Sequence, residues 1–269
     1  MQDALRYLKW EITRKGARII GCDKTFEGAM AIPSFIDGVP VVEIGRKAFA
    51  QCEGVSSVVI PDSVEVVGEN AFFVCVGLEE LHLGTGIKKL EYAAFGTCVS
   101  LKSVVIPDSV EVVGEFAFFG CSGLEELHLG SGIKKLENYA FGACGSLKSV
   151  VIPDSVEVVG ECVFARCAGL EELRLGAGIK RIENCAFAGC SSLKGIVIPD
   201  SLETVGEGAF FGCSGLEALH LGSGIKRIAA CAFVGCSSLR RVVLPSTLEE
   251  LASNAFDESV DIVADDDDI

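Results

Sequence analysis

Thirteen cysteines and three histidines are the residues of this 269-residue chain best suited to metal binding or nucleophilic chemistry. The spacing of the cysteines contains no C-x-x-C pair and no Cys/His cluster of the kind that binds zinc. Since free cysteine is among the most buried residue types, the pattern predicts a ladder of small core side chains and no metal site. Nine of them recur every 23 residues, at Cys52, Cys75, Cys98, Cys121, Cys144, Cys167, Cys190, Cys213 and Cys236.

Two further cysteines, Cys162 and Cys185, share a second repeat position. If successive repeats stack as neighbouring strands about 4.8 Å apart, their Cα atoms fall in the range that a disulfide accepts. These two are therefore the cysteines best placed to pair by oxidation.

The histidines also share one repeat position, at His82, His128 and His220. Stacked repeats would hold them at least two strands, about 9.6 Å, apart, which is too far for two of them to bind one ion. We interpret them as exposed residues of a binding face.

Enzyme signatures are absent from the sequence: it has no G-x-S-x-G, no P-loop and no H-E-x-x-H. Gly-x-Gly phrases such as residues 84–86 recur in step with the repeat and indicate turns. The run Asp265 to Asp268 lacks the spaced ligands and loop glycine of a calcium site and is typical of a solvated tail. The sequence predicts no catalytic residue and no cofactor.

A 23-residue period organises almost the whole chain. Such a period is the mark of a solenoid, in which each unit buries its apolar face only against its neighbours. Its most regular member is phenylalanine, at Phe49, Phe72, Phe95, Phe118, Phe141, Phe164, Phe187, Phe210, Phe233 and Phe256.

Within one repeat, Leu101-x-x-Val104-x-Ile106 predicts a strand with one buried face, and Val110 and Val113 predict a second short strand. Consecutive repeats run in the same direction, so the strands form one long parallel sheet. The segment from 115 to 121 is expected to turn as a 3₁₀ or helical corner. The residue that ends the first strand alternates between proline (Pro61, Pro107, Pro153, Pro199, Pro245) and glycine (Gly84, Gly130, Gly176, Gly222).

One domain is predicted, a solenoid over residues 1–263. It comprises an N-terminal hairpin cap with a divergent first coil (1–45), the regular repeats (46–256) and a C-terminal cap strand (257–263). An acidic tail follows at 264–269.

The composition narrows the classes of partner. A net charge of −15 disfavours nucleic acids and anionic membranes, and the apolar residues, 49% of the chain, never form a run long enough to insert into a bilayer. Residues 1–10 show no signal peptide, from which we expect a cytoplasmic protein.

The phrases Ile-Pro-Asp-Ser-Val, Val-Gly-Glu-x-Ala-Phe and Cys-x-x-Leu, with the entry from Ile32-Pro33 to Val41, resemble the BspA-like (Treponema pallidum type) leucine-rich repeats over residues 8–263. The resemblance implies a leucine-rich repeat solenoid, a β-rich right-handed superhelix. Its long parallel sheet would line the concave face, with short strands or 3₁₀/helical turns opposite. It also implies a role in binding proteins or other macromolecules, often at a cell surface.

The outward positions of the predicted sheet form the candidate concave binding face. One stripe alternates in charge (Glu79, Lys102, Glu125, Lys148, Glu171, Lys194, Glu217, Arg240) and predicts a cross-strand salt ladder. The ligand would be a protein or a glycan. The candidate binding residues are Glu80, His82, Lys102, Glu126, His128, Lys148, Glu172, Arg174, Lys194 and His220.

A second candidate surface consists of the extra aromatic residues Phe73, Phe119 and Phe211 at the opposite, convex corner. They are interpreted either as added packing or as a contact site for a partner or a second copy.

A different class of function also fits: a structural or self-assembling array, recently duplicated or designed. Residues 100–115 and 146–161 are identical, exposed positions included. A face adapted to one irregular ligand would be expected to vary there.

Overall fold

A computed structural model describes residues 5–264, which form a β-solenoid. Each coil contributes one short strand to a front sheet, one to a back sheet, and a corner of tight turns. Strands are numbered in chain order. The predicted acidic tail, Asp265 to Asp268, lies outside the described residues.

The N-terminal segment begins the back sheet with an antiparallel hairpin, β1 (Leu8–Ile12) and β2 (Ala17–Cys22). Strand β2 pairs in parallel with β5 (Val39–Ile44), which continues into the repeats. Between them, β3 (Gly28–Ala31) starts the front sheet and β4 (Phe35–Ile36) folds back on β5.

The front sheet has nine parallel strands and carries the predicted binding face. Its strands are shorter than the sequence indicates, because Leu101 still donates its N–H to Cys98 in a turn and Pro107 follows closely. After β3 come β6 (Val55–Val59), β8 (Glu80–His82), β10 (Ser103–Val105), β12 (Glu126–His128), β14 (Ser149–Val151), β16 (Glu172–Arg174), β18 (Gly195–Val197) and β20 (Ala218–His220). At the C-terminal end, β22 (Arg241–Leu244) pairs in parallel with β24 (Asp261–Ala264).

The back sheet extends the same stacking on another side of each coil, and its two-residue strands are the predicted second strands. They pair in register from coil to coil, as Val113 does with Leu90 and Leu136. They are β7 (Val66–Val67), β9 (Lys89–Leu90), β11 (Val112–Val113), β13 (Lys135–Leu136), β15 (Val158–Val159), β17 (Arg181–Ile182), β19 (Thr204–Val205), β21 (Arg227–Ile228) and β23 (Glu250–Leu251).

The corner at each phenylalanine is a chain of turns, and the expected 3₁₀ or helical segment is wrong. Around Phe95 the backbone twice enters the left-handed region, at Ala93 (φ 48°) and Thr97 (φ 62°). Alternate N–H groups donate within the turn, as Gly96 does to Ala93 (3.1 Å), and to the next coil, as Phe95 does to Ala117 (2.8 Å). A 3₁₀ helix would keep all of these bonds inside one coil.

The core is a column of stacked phenylalanine rings beside a column of cysteines. The ten repeat phenylalanines lie 4.6 to 5.6 Å apart between ring centroids and within 3° to 11° of parallel. The cysteine ladder is confirmed, and it does more than fill space. Eight of its thiols, from Cys75 to Cys236, each donate a hydrogen bond to the phenylalanine carbonyl of the preceding coil, at 3.0 to 3.4 Å.

Alternation between proline and glycine coils has a structural cause. Asp108 of a proline coil accepts the Ser131 N–H of the next coil at 2.7 Å, and Ser109 donates to the Ile87 carbonyl of the coil before at 2.7 Å. This close approach leaves no room for a Cβ at Gly132, which would overlap the Asp108 carbonyl oxygen. The Pro-Asp-Ser corner thus bonds to both neighbouring coils, and the coil that follows it needs Gly-x-Gly to leave room for its backbone.

Helices contribute little to this fold, and within residues 5–264 none is long and apolar enough to cross a membrane.

Candidate functional site

The exposed side of the front sheet, here called the front face, presents rows of side chains on either side of a buried row. In β10, β12 and β14 the central residues Val104, Leu127 and Val150 are buried, and their neighbours point outward. All ten predicted binding residues, from Glu80 to His220, are exposed on this sheet or immediately before its strands.

One row of the front face alternates between exposed valines and basic or titratable side chains. Val105, Val151 and Val197 are 61%, 59% and 66% exposed. They pair in register with His128, Arg174 and His220 on the next strands. More than half of each valine remains in water, so the row is an apolar surface available to a partner.

The histidines lie at least two strands apart, as predicted, and His82 and His220 each border a shallow groove. His82 lines one of about 640 Å³ with Val105 and Pro107. His220 borders another with Arg174 and Pro199. Repeated small grooves of this kind suit a chain of partner side chains better than one compact ligand.

The salt ladder predicted on the front face is wrong. Among residues 5–264, no ion pair joins members of the Glu79-to-Arg240 stripe. An ion pair between exposed side chains stabilises a protein by at most about 1 kcal/mol. This is too little to hold two long side chains together at every place where opposite charges are neighbours. Inter-coil pairs form instead beside the back sheet, between Lys134 and Glu111 (3.4 Å), Lys180 and Glu157 (3.4 Å), and Lys226 and Glu203 (3.3 Å).

The aromatic residues of the second candidate surface lie on the phenylalanine corner. Phe73 is half-buried, whereas Phe119 and Phe211 are 36% and 49% exposed. Phe73 and Phe119 each lie over a glycine of the next coil, Gly96 and Gly142, where an added Cβ would meet the ring. Packing therefore explains part of this surface.

A groove of about 560 Å³ opens between Phe119 and Phe211, because the coils between them carry small residues in place of the extra ring. Ala165 and Ala188 form part of its lining, together with Arg166 and the half-exposed thiols of Cys162 and Cys185. The sequence predicted that Cys162 and Cys185 lie side by side, but it did not predict the groove. The sequence feature that indicates the groove is alanine in place of an aromatic residue at position 165.

The thiols of the cysteine ladder are poorly suited to catalysis. Burial raises the pKa of Cys75 and of Cys236 to about 12, so both are protonated at neutral pH and are poor nucleophiles or metal ligands. All thirteen cysteines are free thiols. Within the described part of the chain, no group of three or more Cys, His, Asp or Glu side chains is arranged to hold a metal ion.

Comparison with known proteins identifies the repeat. The family described as BspA type leucine rich repeat region matches residues 42–171 and 159–264. Comparison with curated proteins found no significant match.

Solved structures of leucine-rich repeat proteins are similar to this one. A leucine-rich repeat protein of T. pallidum is 33% identical, with 70% of this chain and 88% of that chain covered and a TM-score of 0.66. A leucine rich cell surface protein of Faecalibacterium prausnitzii (24% identity, 95% and 86% covered, TM-score 0.53) and a leucine-rich repeat protein of Eubacterium ventriosum (16%, 97% and 94%, TM-score 0.56) share the fold. The chain belongs to the BspA-type leucine-rich repeat family.

Proposed function

We propose that this protein is a non-enzymatic interaction module that binds a protein partner through the front face. The observation that carries the proposal is the row of exposed valines between histidine and arginine side chains on in-register strands. Its apolar area would be covered by a partner, and the surrounding charges would orient it.

The charge of the face supports a partner with basic side chains. Glu80, Glu126 and Glu172 form one exposed acidic row, and no ion pair among residues 5–264 engages them. The net charge of −15 acts in the same direction by steering cationic partners toward the solenoid.

Affinity capture with matched charge reversals tests the proposal. The double variant Glu126→Lys, Glu172→Lys alters the front face, and the control Glu65→Lys, Glu249→Lys makes the same charge change beside the back sheet. We expect a protein captured by the unaltered chain to be lost with the first variant and kept with the second. Equal capture by both variants would contradict the proposal.

A second candidate is a structural or self-assembling array, favoured by the identity of residues 100–115 and 146–161. A uniform surface can repeat the same contact along a filament or a lattice. Light scattering over a range of concentrations separates the two functions, since an assembling array gains mass with concentration and a monomeric binder keeps one mass.

A further inference from the structure

At one patch of the phenylalanine corner, two adjacent coils carry residues that differ in chemistry from those 46 positions earlier. Residues 146–161 repeat 100–115 without change, but the next six residues read FAFFGC in the first copy and CVFARC in the second. In the following coil Tyr139 is likewise replaced, 46 residues later, by Cys185. Together the substitutions introduce two thiols and one cation and remove three aromatic rings, those of Phe116, Phe119 and Tyr139. The introduced residues Cys162, Ala165, Arg166 and Cys185 all line the 560 Å³ groove.

The earlier copy shows how side chains at the two thiol positions are arranged. There the positions hold Phe116 and Tyr139, whose rings stack at 4.8 Å and within 4° of parallel. Cys162 and Cys185 adopt the same backbone conformation, with φ of 53° and 54°, close to the 58° of both aromatic residues. Their Cα–Cβ bonds therefore leave adjacent coils in parallel, about one strand spacing of 4.8 Å apart.

This spacing distinguishes between the ways in which two thiols can be joined. A disulfide accepts Cα atoms at this spacing but needs Cβ atoms about 3.8 Å apart, so the two coils would have to approach each other by about 1 Å at these residues. Zinc needs four ligands, which the groove does not supply among the described residues. A linear bridge through one metal ion, with bonds of about 2.3 Å as in zinc thiolates, places the sulfurs about 4.6 Å apart and leaves the backbone in place.

We propose that Cys162 and Cys185 bind one soft monovalent cation of the Cu(I) class in two-coordinate, linear geometry. Two S–H bonds break and two S–Cu bonds form, with both protons passing to solvent and no change in oxidation state. Thiolates select Cu(I) over harder ions. Two thiolates and one monovalent cation leave a charge of −1, which Arg166 on the same groove offsets.

The surroundings favour this pair over the other cysteines. The ladder thiols have a similar spacing, but they are buried and most donate to phenylalanine carbonyls. Cys231 has the same repeat position, yet the coil before it carries Gly208 there and offers no second thiol. Phe119, Tyr139 and Phe211 border the groove and give it apolar walls beside the two thiols.

The test is anaerobic titration of the reduced protein with Cu(I) in the presence of a chromogenic Cu(I) chelator, followed by native mass spectrometry. We expect one ion per chain for the unaltered protein and for the matched control Cys231→Ala. Cys162→Ala and Cys185→Ala should each lower the retained copper at least tenfold. Retention of copper when Cys162 and Cys185 are both replaced by alanine, or its loss in Cys231→Ala alone, would overturn the proposal.

A measurement on the unaltered protein removes dependence on how the variants fold. Bound Cu(I) should slow alkylation of Cys162 and Cys185 by iodoacetamide and leave that of Cys231 unchanged, as read by peptide mass spectrometry. Equal alkylation of all three with and without copper would contradict the site. A disulfide between Cys162 and Cys185 in place of a copper adduct would also contradict it.

Discussion

The ring column along the core can be tested by removing one central ring. Phe141 is fully buried, with its ring centroid 5.3 Å from that of Phe118 and 5.4 Å from that of Phe164. Replacing a buried phenylalanine with alanine costs about 3 to 5 kcal/mol. Each stacked contact contributes about 0.5 to 1.5 kcal/mol beyond burial, so the two lost stacks make up about 1 to 3 kcal/mol of that loss.

Phe256 supplies the matched control for Phe141→Ala. It ends the column with a single neighbour, Phe233 at 4.9 Å, and is 7% exposed. Phe256→Ala loses one stack in place of two, and a terminal coil can fray without unfolding the rest. We expect its cost to be about 1 kcal/mol or more below that of Phe141→Ala.

Urea unfolding followed by far-ultraviolet circular dichroism measures both free energies. The midpoint and slope must be fitted together, since a fraying solenoid departs from two-state behaviour. An unchanged midpoint for Phe141→Ala, or equal losses for the two variants, would refute a continuous column as the source of stability.

Three other perturbations test separate contacts. Cys144→Ala removes the thiol hydrogen bond to a buried carbonyl, so we expect a loss of about 1 to 3 kcal/mol in the same urea experiment; equal stability would show that the bond contributes nothing. Gly132→Ala should destabilise by at least about 3 kcal/mol because the new Cβ overlaps a carbonyl oxygen, whereas Gly145→Ala, with open space around its Cβ, should stay within about 0.5 kcal/mol. The backbone N–H of Ser131 holds the pKa of Asp108 below its usual value near 3.9, so its contribution is present above that pH and is lost as the pH falls through the lower folded-state value. Asp108→Asn should therefore flatten the dependence of the urea midpoint on pH between about pH 4 and pH 2, and an unchanged slope would contradict this.

Much of the architecture could be predicted from the sequence because each repeat obeys the same packing constraint. A phenylalanine required at every twenty-third position has to meet its copies above and below, and the ring column follows. The burial of the cysteine ladder was predictable on the same grounds. Its hydrogen bonds were not, because they depend on the carbonyl orientation set by two left-handed residues in each corner.

The candidate sites were predicted less completely, since they depend on side-chain conformations in water. Charge alternates equally in the row of Lys102 and in that of Lys134, but among residues 5–264 only the second of these two rows forms ion pairs between its members. The groove exists because Ala165 stands where Phe119 stands 46 residues earlier. Alanine carries no reactive group, so its residue type gives no sign of a site.

The most direct test of the front-face proposal is carbene footprinting of the protein alone and with its captured partner. The proposal predicts that labelling of Val105, Val151 and Val197 falls on binding, while labelling of Lys135 and Arg181 on the back sheet does not change. Protection confined to the back sheet, or to Phe119 and Phe211 at the corner, would contradict it.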